Sequence, residues 1–399
     1  MIFKTSKELY AHIDANCFFV SCERLRNPNL CGKFVVVGGD LIIAASYECR
    51  KFGIKVGTPI WEAESILGDR LIKIRPDLSY YTEISQKFMQ FLTEKSLAVE
   101  PFSIDEAFVH LTGIPERTHG GDYEAFCQDL KLEILQKIGI PVSIGLGNTR
   151  IKSKIFSDIN KPFGYWIGLD DDKERNLFTK LSVRKIPFIG KATEQHLGAS
   201  IHTIEDFRNM GFFELDRLIG KNATTLWLEL YGVDVWQSSH GRNSVPKSIT
   251  RSRSFNHAMT DNRHILWQRF LENFEKAYHE LMLIQCELSG IGVVLRAKDL
   301  TRNGHSYEFG ENTNDRALIL QKLKECFDQT FQTGILYRTT GVIFVGISHA
   351  APKQLSLFEI VQQNSDRSEQ LEKALEFLNL RYGKRTVQHG VHPEQRYQA

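Results

Sequence analysis

The sequence predicts an α+β protein of several domains, and three observations carry that expectation. Over roughly the first 168 residues, short apolar strands and amphipathic helices are mixed in α+β fashion. From Asp170 to about Tyr231 the pattern changes to short helices with glycine breaks. From about Ser248 to Ser348 a second α+β pattern begins. The chain has 399 residues, 42% hydrophobic and 25% charged, enough for about two to four domains.

Taken in order, Leu9 to Asp14 reads as a short strand and Phe19 to Arg24 as helical. Phe34–Val37 and Leu41–Ala45 are apolar runs around Gly38-Gly39, a hairpin pattern. Tyr47 to Lys51 turns helical and stops at Gly53, and Trp61 to Leu67 is a helix ended by Gly68. A longer amphipathic helix runs from about Leu78 to Leu97. Pro101 opens a turn before a strand at Ala107–Leu111. Tyr123 to Ile138 has helical spacing, Pro141–Gly147 is a strand, and Lys152 to Ile159 is a helix ended near Pro162. A polar, basic, loop-like stretch covers Gln237 to Asn256. The second α+β pattern opens with a strand from about Ser248, then has helices at Ile265–Leu283 and Arg316–Phe331 and strands at Gly290–Ala297, Ser306–Phe309 and Thr340–Gly346. Pro352 begins a polar tail with one further amphipathic helix at Leu371, Leu375 and Leu378.

Net charge is only +2, so a nucleic-acid partner would have to be met by a local basic surface. Seven cysteines, an odd number with no CxxC pair, read as reduced, packed thiols of a cytosolic protein. The N-terminus carries Lys4, Lys7 and Glu8 with no apolar run behind them, unlike a signal peptide. No apolar stretch reaches membrane-spanning length, so a cytoplasmic location is expected.

Two acidic sites stand in apolar, strand-like surroundings: Asp14 in AHIDANCFF, and Asp105-Glu106 in SIDEAF. Bare carboxylates are costly to bury there, and shared divalent cations would relieve the cost. Two hard cations held by carboxylates and phosphate oxygens make a phosphoryl-transfer site. Adjacent side chains on a regular strand face opposite ways, so Asp105 and Glu106 reach one site only at a turn or strand start. Taken singly, the pair reads first as a solvated hairpin tip, and Asp14 equally as a helix cap or a functional acid.

Tyr47 and Arg50 lie three apart and share a helix face, which suits a triphosphate. Lys161 follows a helix and precedes Pro162, where a lysine also complements the helix dipole. Phe18 and Phe19 read by default as core, although one of them lies near enough to Asp14 to meet a nucleotide sugar. Arg242, Lys247, Arg251 and Arg253, with interleaved Ser and Thr and no acid between, suit a phosphodiester backbone or a solvated linker.

Together these residues resemble the Y-family (translesion) DNA polymerases, from about Tyr10 to Phe358. Five motifs carry the likeness in family order: HIDANCFF, ASYECRKFG, SIDEA, SIGLG and Asn160-Lys161-Pro162. The run Ile249–Phe255 is similar to the polymerase V catalytic subunit UmuC, while the region of Tyr47 and Arg50 looks like polymerase IV.

The resemblance implies a right-hand polymerase: palm 1–20 and 75–168, fingers 21–74, helical thumb 169–236 with a helix-hairpin-helix, linker 237–242, little finger 243–349, and a clamp-binding peptide and regulatory tail at 350–399. It implies that Asp14 and Asp105 bridge two Mg²⁺ ions (Mn²⁺ as substitute), with Glu106 and the Ala15 carbonyl completing them. Phe19, beside Phe18, matches the gate against a ribose 2′-hydroxyl, and Tyr47, Arg50 and Lys161 match triphosphate contacts. Gly190 and Lys191 fall in the hairpin that meets DNA phosphates. Gln354, Leu355, Leu357 and Phe358 are similar to sliding-clamp peptides.

The implied partners are primer–template DNA, dNTP and the clamp, with UmuD′-like and RecA-like proteins from the polymerase V likeness. No proofreading exonuclease is expected. Ala44 stands where relatives have Thr or Ser, and Gly147–Arg150 differs from the commoner lysine-bearing loop. Phe188 replaces the first hairpin glycine, and Phe does not readily take φ > 0, so that turn is expected to depart from the family's.

Overall fold

The computed structural model describes residues 6–235, 245–255 and 258–349, with Ala374 and Arg381 beyond them. The chain divides into two compact units, Met1–His240 and Gly241–Ala399.

The first unit opens with β1 (Tyr10–Ala15), α1 (Phe18–Arg26), β2 (Phe34–Gly38), β3 (Ile42–Ala45), α2 (Tyr47–Arg50), α3 (Ile60–Leu67) and β4 (Leu71–Ile74). It continues with α4 (Leu78–Glu94), β5 (Ala98–Pro101), β6 (Glu106–His110), α5 (Ile114–His119), α6 (Tyr123–Ile138), β7 (Val142–Gly147), α7 (Arg150–Ser157) and β8 (Tyr165–Gly168). Strands β5, β6, β1, β7 and β8 form one sheet in that order, and β3, β2 and β4 form a small second sheet. Asp77 and Asp122 cap α4 and α6 by accepting from backbone amides, and Gly139 ends α6 in the left-handed region.

One face of the five-stranded sheet is apolar: Ile13, Val109 and Ile144 join Phe88 of α4 and Ile134 of α6 in one buried core. Each such side chain stabilises by roughly 1.5–3 kcal/mol when fully buried. The other face receives α7 at very close range. A Cβ on Gly145 would meet the Ser153 carbonyl oxygen at 2.1 Å, so glycine there sets how near α7 lies to β7.

Five short helices follow: α8 (Asp171–Phe178), α9 (Lys191–Leu197), α10 (Ile204–Asn209), α11 (Phe212–Ile219) and α12 (Lys221–Leu230). They have a core of their own, in which Phe178, Phe207 and Leu230 meet Ile151 and Phe156 of α7. Arg150 fixes this region to the sheet. It pairs with Glu100 at 3.1 Å and Asp234 at 3.2 Å and lies over the Tyr10 ring. The unusual Gly147–Arg150 loop thus uses its basic residue for anchoring.

The second unit contains β9 (Ser248–Ser254), α13 (Arg263–Leu283), β10 (Cys286–Ala297), β11 (Arg302–Thr313), α14 (Arg316–Thr330), β12 (Tyr337–Val345) and the short β13 (Ser348–His349). The sheet order is β11-β10-β12-β9, with β13 added to β10. Helices α13 and α14 cover one face, packing Phe270, Phe274 and Phe327 on Ile249, Val293 and Phe344.

The structure extends the sequence reading at several places. β5, α5 and β8 are not marked by periodicity, because each spans only four to six residues. The helix predicted to Leu97 stops at Glu94. β9 is the strand expected from about Ser248, and it takes up much of the stretch also read as loop-like to Asn256, so Arg251 and Arg253 belong to a sheet edge. Arg242, the 354–358 peptide and the Leu371–Leu378 helix lie outside the described residues.

Candidate active site

Antiparallel pairing brings the two acidic segments together. β1 pairs with β6 so that Asp14 lies opposite Glu106, and with β7 so that Asp14 lies opposite Ser143. Asp105 sits in the bend before β6, and its carbonyl accepts from the Ala15 amide at 2.9 Å. Glu106 is the first residue of β6, the strand start that the adjacent pair required.

Each carboxylate has a distinct environment. Burial raises the Asp14 carboxyl to about 6 against the attraction of Lys161, and the charges of Asp105 and Glu106 push the same way. Burial likewise raises Asp105, whose carboxylate accepts from the Ser103 hydroxyl. Burial pushes Glu106 upward too, but bonds and charges from His12 and Lys154 prevail and hold it at about 2. Lys154 Nζ lies 2.5 Å and His12 Nε2 3.1 Å from its Oε2. His12 is 1% exposed, and its Nδ1 is 2.8 Å from the Ser157 hydroxyl.

Lys161 stands between Asp14 at 3.0 Å and Asp158 at 2.7 Å. Burial disfavours its charge, but the two carboxylates outweigh that and raise its pKa. Asn16 fixes the segment that carries it: its Oδ1 accepts from the Phe163 amide at 2.7 Å, and its Nδ2 donates to Ser143.

Among the described residues, no three His, Cys, Asp or Glu side chains converge as a ready metal cage. The oxygen donors of Asp14, Asp105 and Glu106 nonetheless suit hard divalent cations. The ammonium groups of Lys154 and Lys161 now stand against two of these acids, marking where positive charge is accepted.

The other predicted residues divide. Phe19 is half-buried and stacks on Tyr81, with ring centroids 4.7 Å apart. Phe18 is 3% exposed and packed in the core, which corrects its expected nucleotide contact. Consecutive residues at a helix start cannot both face one ligand. Tyr47 is half-buried and feels the charges of both Lys161 and Asp14. Arg50 is exposed, lies over the Tyr47 ring and donates to the Ala45 carbonyl. No side chain caps α1, whose Cys17 N-cap has φ 46, so its first amides face the same end of β1 as Asp14.

Gly190 and Lys191 begin α9 at the exposed hairpin turn. Phe188 corrects an expectation: it takes φ 69, the left-handed conformation that its signature glycine would provide. Lys247 is exposed. Arg251 and Arg253 point to the helix-covered face of β9, pairing with Glu280 and, at 2.9 Å, with Glu272 of α13. In the absence of nucleic acid, both guanidinium groups are thus engaged by glutamates. Strand alternation sends Ser248, Thr250, Ser252 and Ser254 to the opposite, open face. Sequence reading missed His12, Asn16, Lys154 and Asp158; their role arises from contacts 48 to 147 residues apart for all but Asp158.

In comparisons with known proteins, residues 13–158 match the model of the impB/mucB/samB family, and residues 246–357 match that of its C-terminal domain. The chain is 30% identical over 395 residues to a DNA polymerase IV of Dehalococcoides mccartyi strain CBDB1, covering 95% of this chain and 96% of that one. It is 28% identical over 388 residues to a DNA polymerase IV of Oceanobacillus iheyensis, covering 94% and 90%. A solved Y-family DNA polymerase chimera of Dbh and Dpo4 superposes with a TM-score of 0.72 at 23% identity, over 86% of this chain and 100% of that one.

The fold and these relatives define a DNA-directed DNA polymerase with the right-hand fold and a C-terminal little-finger domain. The chain belongs to the impB/mucB/samB family, the Y-family of translesion DNA polymerases. These relatives carry the polymerase IV name, so the polymerase V likeness of Ile249–Phe255 gains no support from them.

Proposed function

We propose that the chain carries out template-directed translesion synthesis by two-metal nucleotidyl transfer, with low fidelity and no proofreading. The primer 3′-hydroxyl oxygen bonds to the α-phosphorus of a dNTP, and the bond to pyrophosphate breaks. The observation that carries this reading is the pairing of Asp14 with Glu106 across β1 and β6, with Asp105 in the adjoining bend.

Asp14, Asp105, Glu106 and the Ala15 carbonyl are the groups that would hold two Mg²⁺ ions, or Mn²⁺. When bound, such ions offset charge on the attacking and leaving oxygens. The protein's own part is positioning. Lys161 exchanges its carboxylate partners for a phosphate oxygen, joined by Tyr47 and Arg50. Phe19, braced by Tyr81, closes the space a 2′-hydroxyl would need.

The domain limits follow the same reading: palm 1–20 and 75–168, fingers 21–74, thumb 169–236, linker 237–242 and little finger 243–349. The hairpin at Gly190 and Lys191 and the exposed Lys247 meet duplex phosphates. Beyond the described residues, Gln354, Leu355, Leu357 and Phe358 form a sliding-clamp peptide, and Arg242 a phosphate contact. The setting is a cytoplasmic DNA-damage (SOS) response.

Primer extension with Mg²⁺, comparing wild type with Asp105→Asn, tests the assignment. A metal ligand supplies several kcal/mol in the transition state, so a loss of roughly 10²- to 10³-fold is expected. Equal rates would remove Asp105 from the site. Extension across an abasic site, with and without UmuD′-like and RecA-like proteins, tests the polymerase V type of regulation.

A further inference from the structure

The hairpin that begins α9 carries an aromatic ring where its signature has glycine, and that ring reaches the catalytic sheet. Phe188 has φ 69, a backbone region that a side chain disfavours and that persists only where its surroundings fix it. Although 61% exposed, its ring packs edge-on against Phe102, with centroids 6.2 Å apart. Phe102 begins the bend that holds Asp105, and its amide donates to the Glu106 carbonyl at 2.9 Å.

From Phe102 two routes lead to the Glu106 carboxylate. Lys154 Nζ lies 4.6 Å from the Phe102 ring centroid and ion-pairs with Glu106. Phe108 meets Phe102 edge-on at 5.3 Å and lies 5.0 Å from His12, whose Nε2 contacts the same carboxylate oxygen. A cleft of about 770 Å³, lined by Lys154, Asp158, Arg184 and Phe188, otherwise separates the hairpin from α7. The Lys185–Asp158 pair, at 3.7 Å, is a second bridge across it.

We propose that Phe188 is a positioning residue: seated on Phe102, it couples the place of the thumb hairpin to the aim of the Glu106 carboxylate. The hairpin that grips duplex then also sets how well the site receives a divalent cation. This rests on the reading of Asp14, Asp105 and Glu106 as metal ligands. Glycine at the position would keep the turn and remove the ring, leaving the hairpin free to grip DNA without informing the site.

The test is a Mn²⁺ titration of the full chain by electron paramagnetic resonance. It compares wild type, Phe188→Gly, Phe102→Leu, the double variant and Asp105→Asn. Glycine suits φ 69, so Phe188→Gly keeps the fold. Each single ring variant should weaken Mn²⁺ binding roughly threefold to tenfold, and the double no more than the worse single. Primer extension should lose kcat by a similar factor, with primer–template Kd in the absence of metal unchanged within about twofold. Wild-type Mn²⁺ affinity in Phe188→Gly, a double variant whose loss is the product of the two singles, or an effect confined to DNA Kd would each overturn the coupling. If Asp105→Asn abolishes Mn²⁺ binding while Phe188→Gly preserves it, only the coupling fails. If Asp105→Asn binds as wild type does, the metal reading fails and takes this inference with it.

Discussion

Burial holds the Asp14 carboxyl at about 6, against an ordinary 3.8, while His12 and Lys154 keep neighbouring Glu106 ionised down to about 2. Two consequences follow for Asp14. Its folded pKa lies above the unfolded one, so the folded chain binds the extra proton between the two values. The stability this gives is complete below the unfolded value and lost as pH rises through about 6. Asp14→Asn should therefore stabilise the metal-free chain at pH 7.5 by on the order of 1–3 kcal/mol, read from urea unfolding. A less stable variant would show that Lys161 outweighs the burial. Divalent cations compete with that proton, so apparent Mg²⁺ affinity should fall about tenfold per pH unit below 6. The second prediction concerns Phe19. Its half-buried ring on Tyr81 is the surface a sugar would meet, so Phe19→Ala should admit ribonucleotides, and unchanged dNTP-over-rNTP selectivity would remove Phe19 from that role.

Alternation along β9 separates its charges from its hydroxyls. Ile249, Arg251 and Arg253 share the face under α13, and Ser248, Thr250, Ser252 and Ser254 share the open one. On the open face, cross-strand neighbours include Gly341 beside Ser252 and Ile343 beside Thr250, so a backbone can approach closely. Arg253→Ala should leave the salt slope of primer–template binding unchanged, whereas loss of a true phosphate contact lowers it by about one. Thr250→Glu, on the open face, should weaken binding at constant unfolding midpoint. The opposite pattern would return the recognition role to the arginines. This strand also shows why legibility was uneven. A strand from about Ser248 was legible, but which residues face the helices was not, since six charged or polar residues accompany one Ile249 and only pairing with β12 fixes their sides. By contrast α6, with Asp122 at its start and Gly139 at its end, was legible to the residue.

At the scale of the whole molecule, each of the two units holds its own core, and the acids all belong to the first. The tail from 350 is expected to add only recruitment. Truncation before Gln354 should leave distributive synthesis intact and abolish stimulation by a sliding clamp; persisting stimulation would place that contact elsewhere.

The sequence by itself determined the α+β class, the order of most elements and the three acids, because strand periodicity, caps and short motifs are local properties. Tertiary structure decided what those acids touch. His12 and Lys154 reach Glu106, and Lys161 reaches Asp14, only because β1 pairs with β6 and β7 and glycine at position 145 lets α7 lie against the sheet. It also decided that Phe188 adopts the glycine conformation and that Arg251 and Arg253 turn to glutamates. Pairings between residues far apart in the chain leave no periodic trace in it, since what selects them is the burial and charge of partners that meet only in the fold.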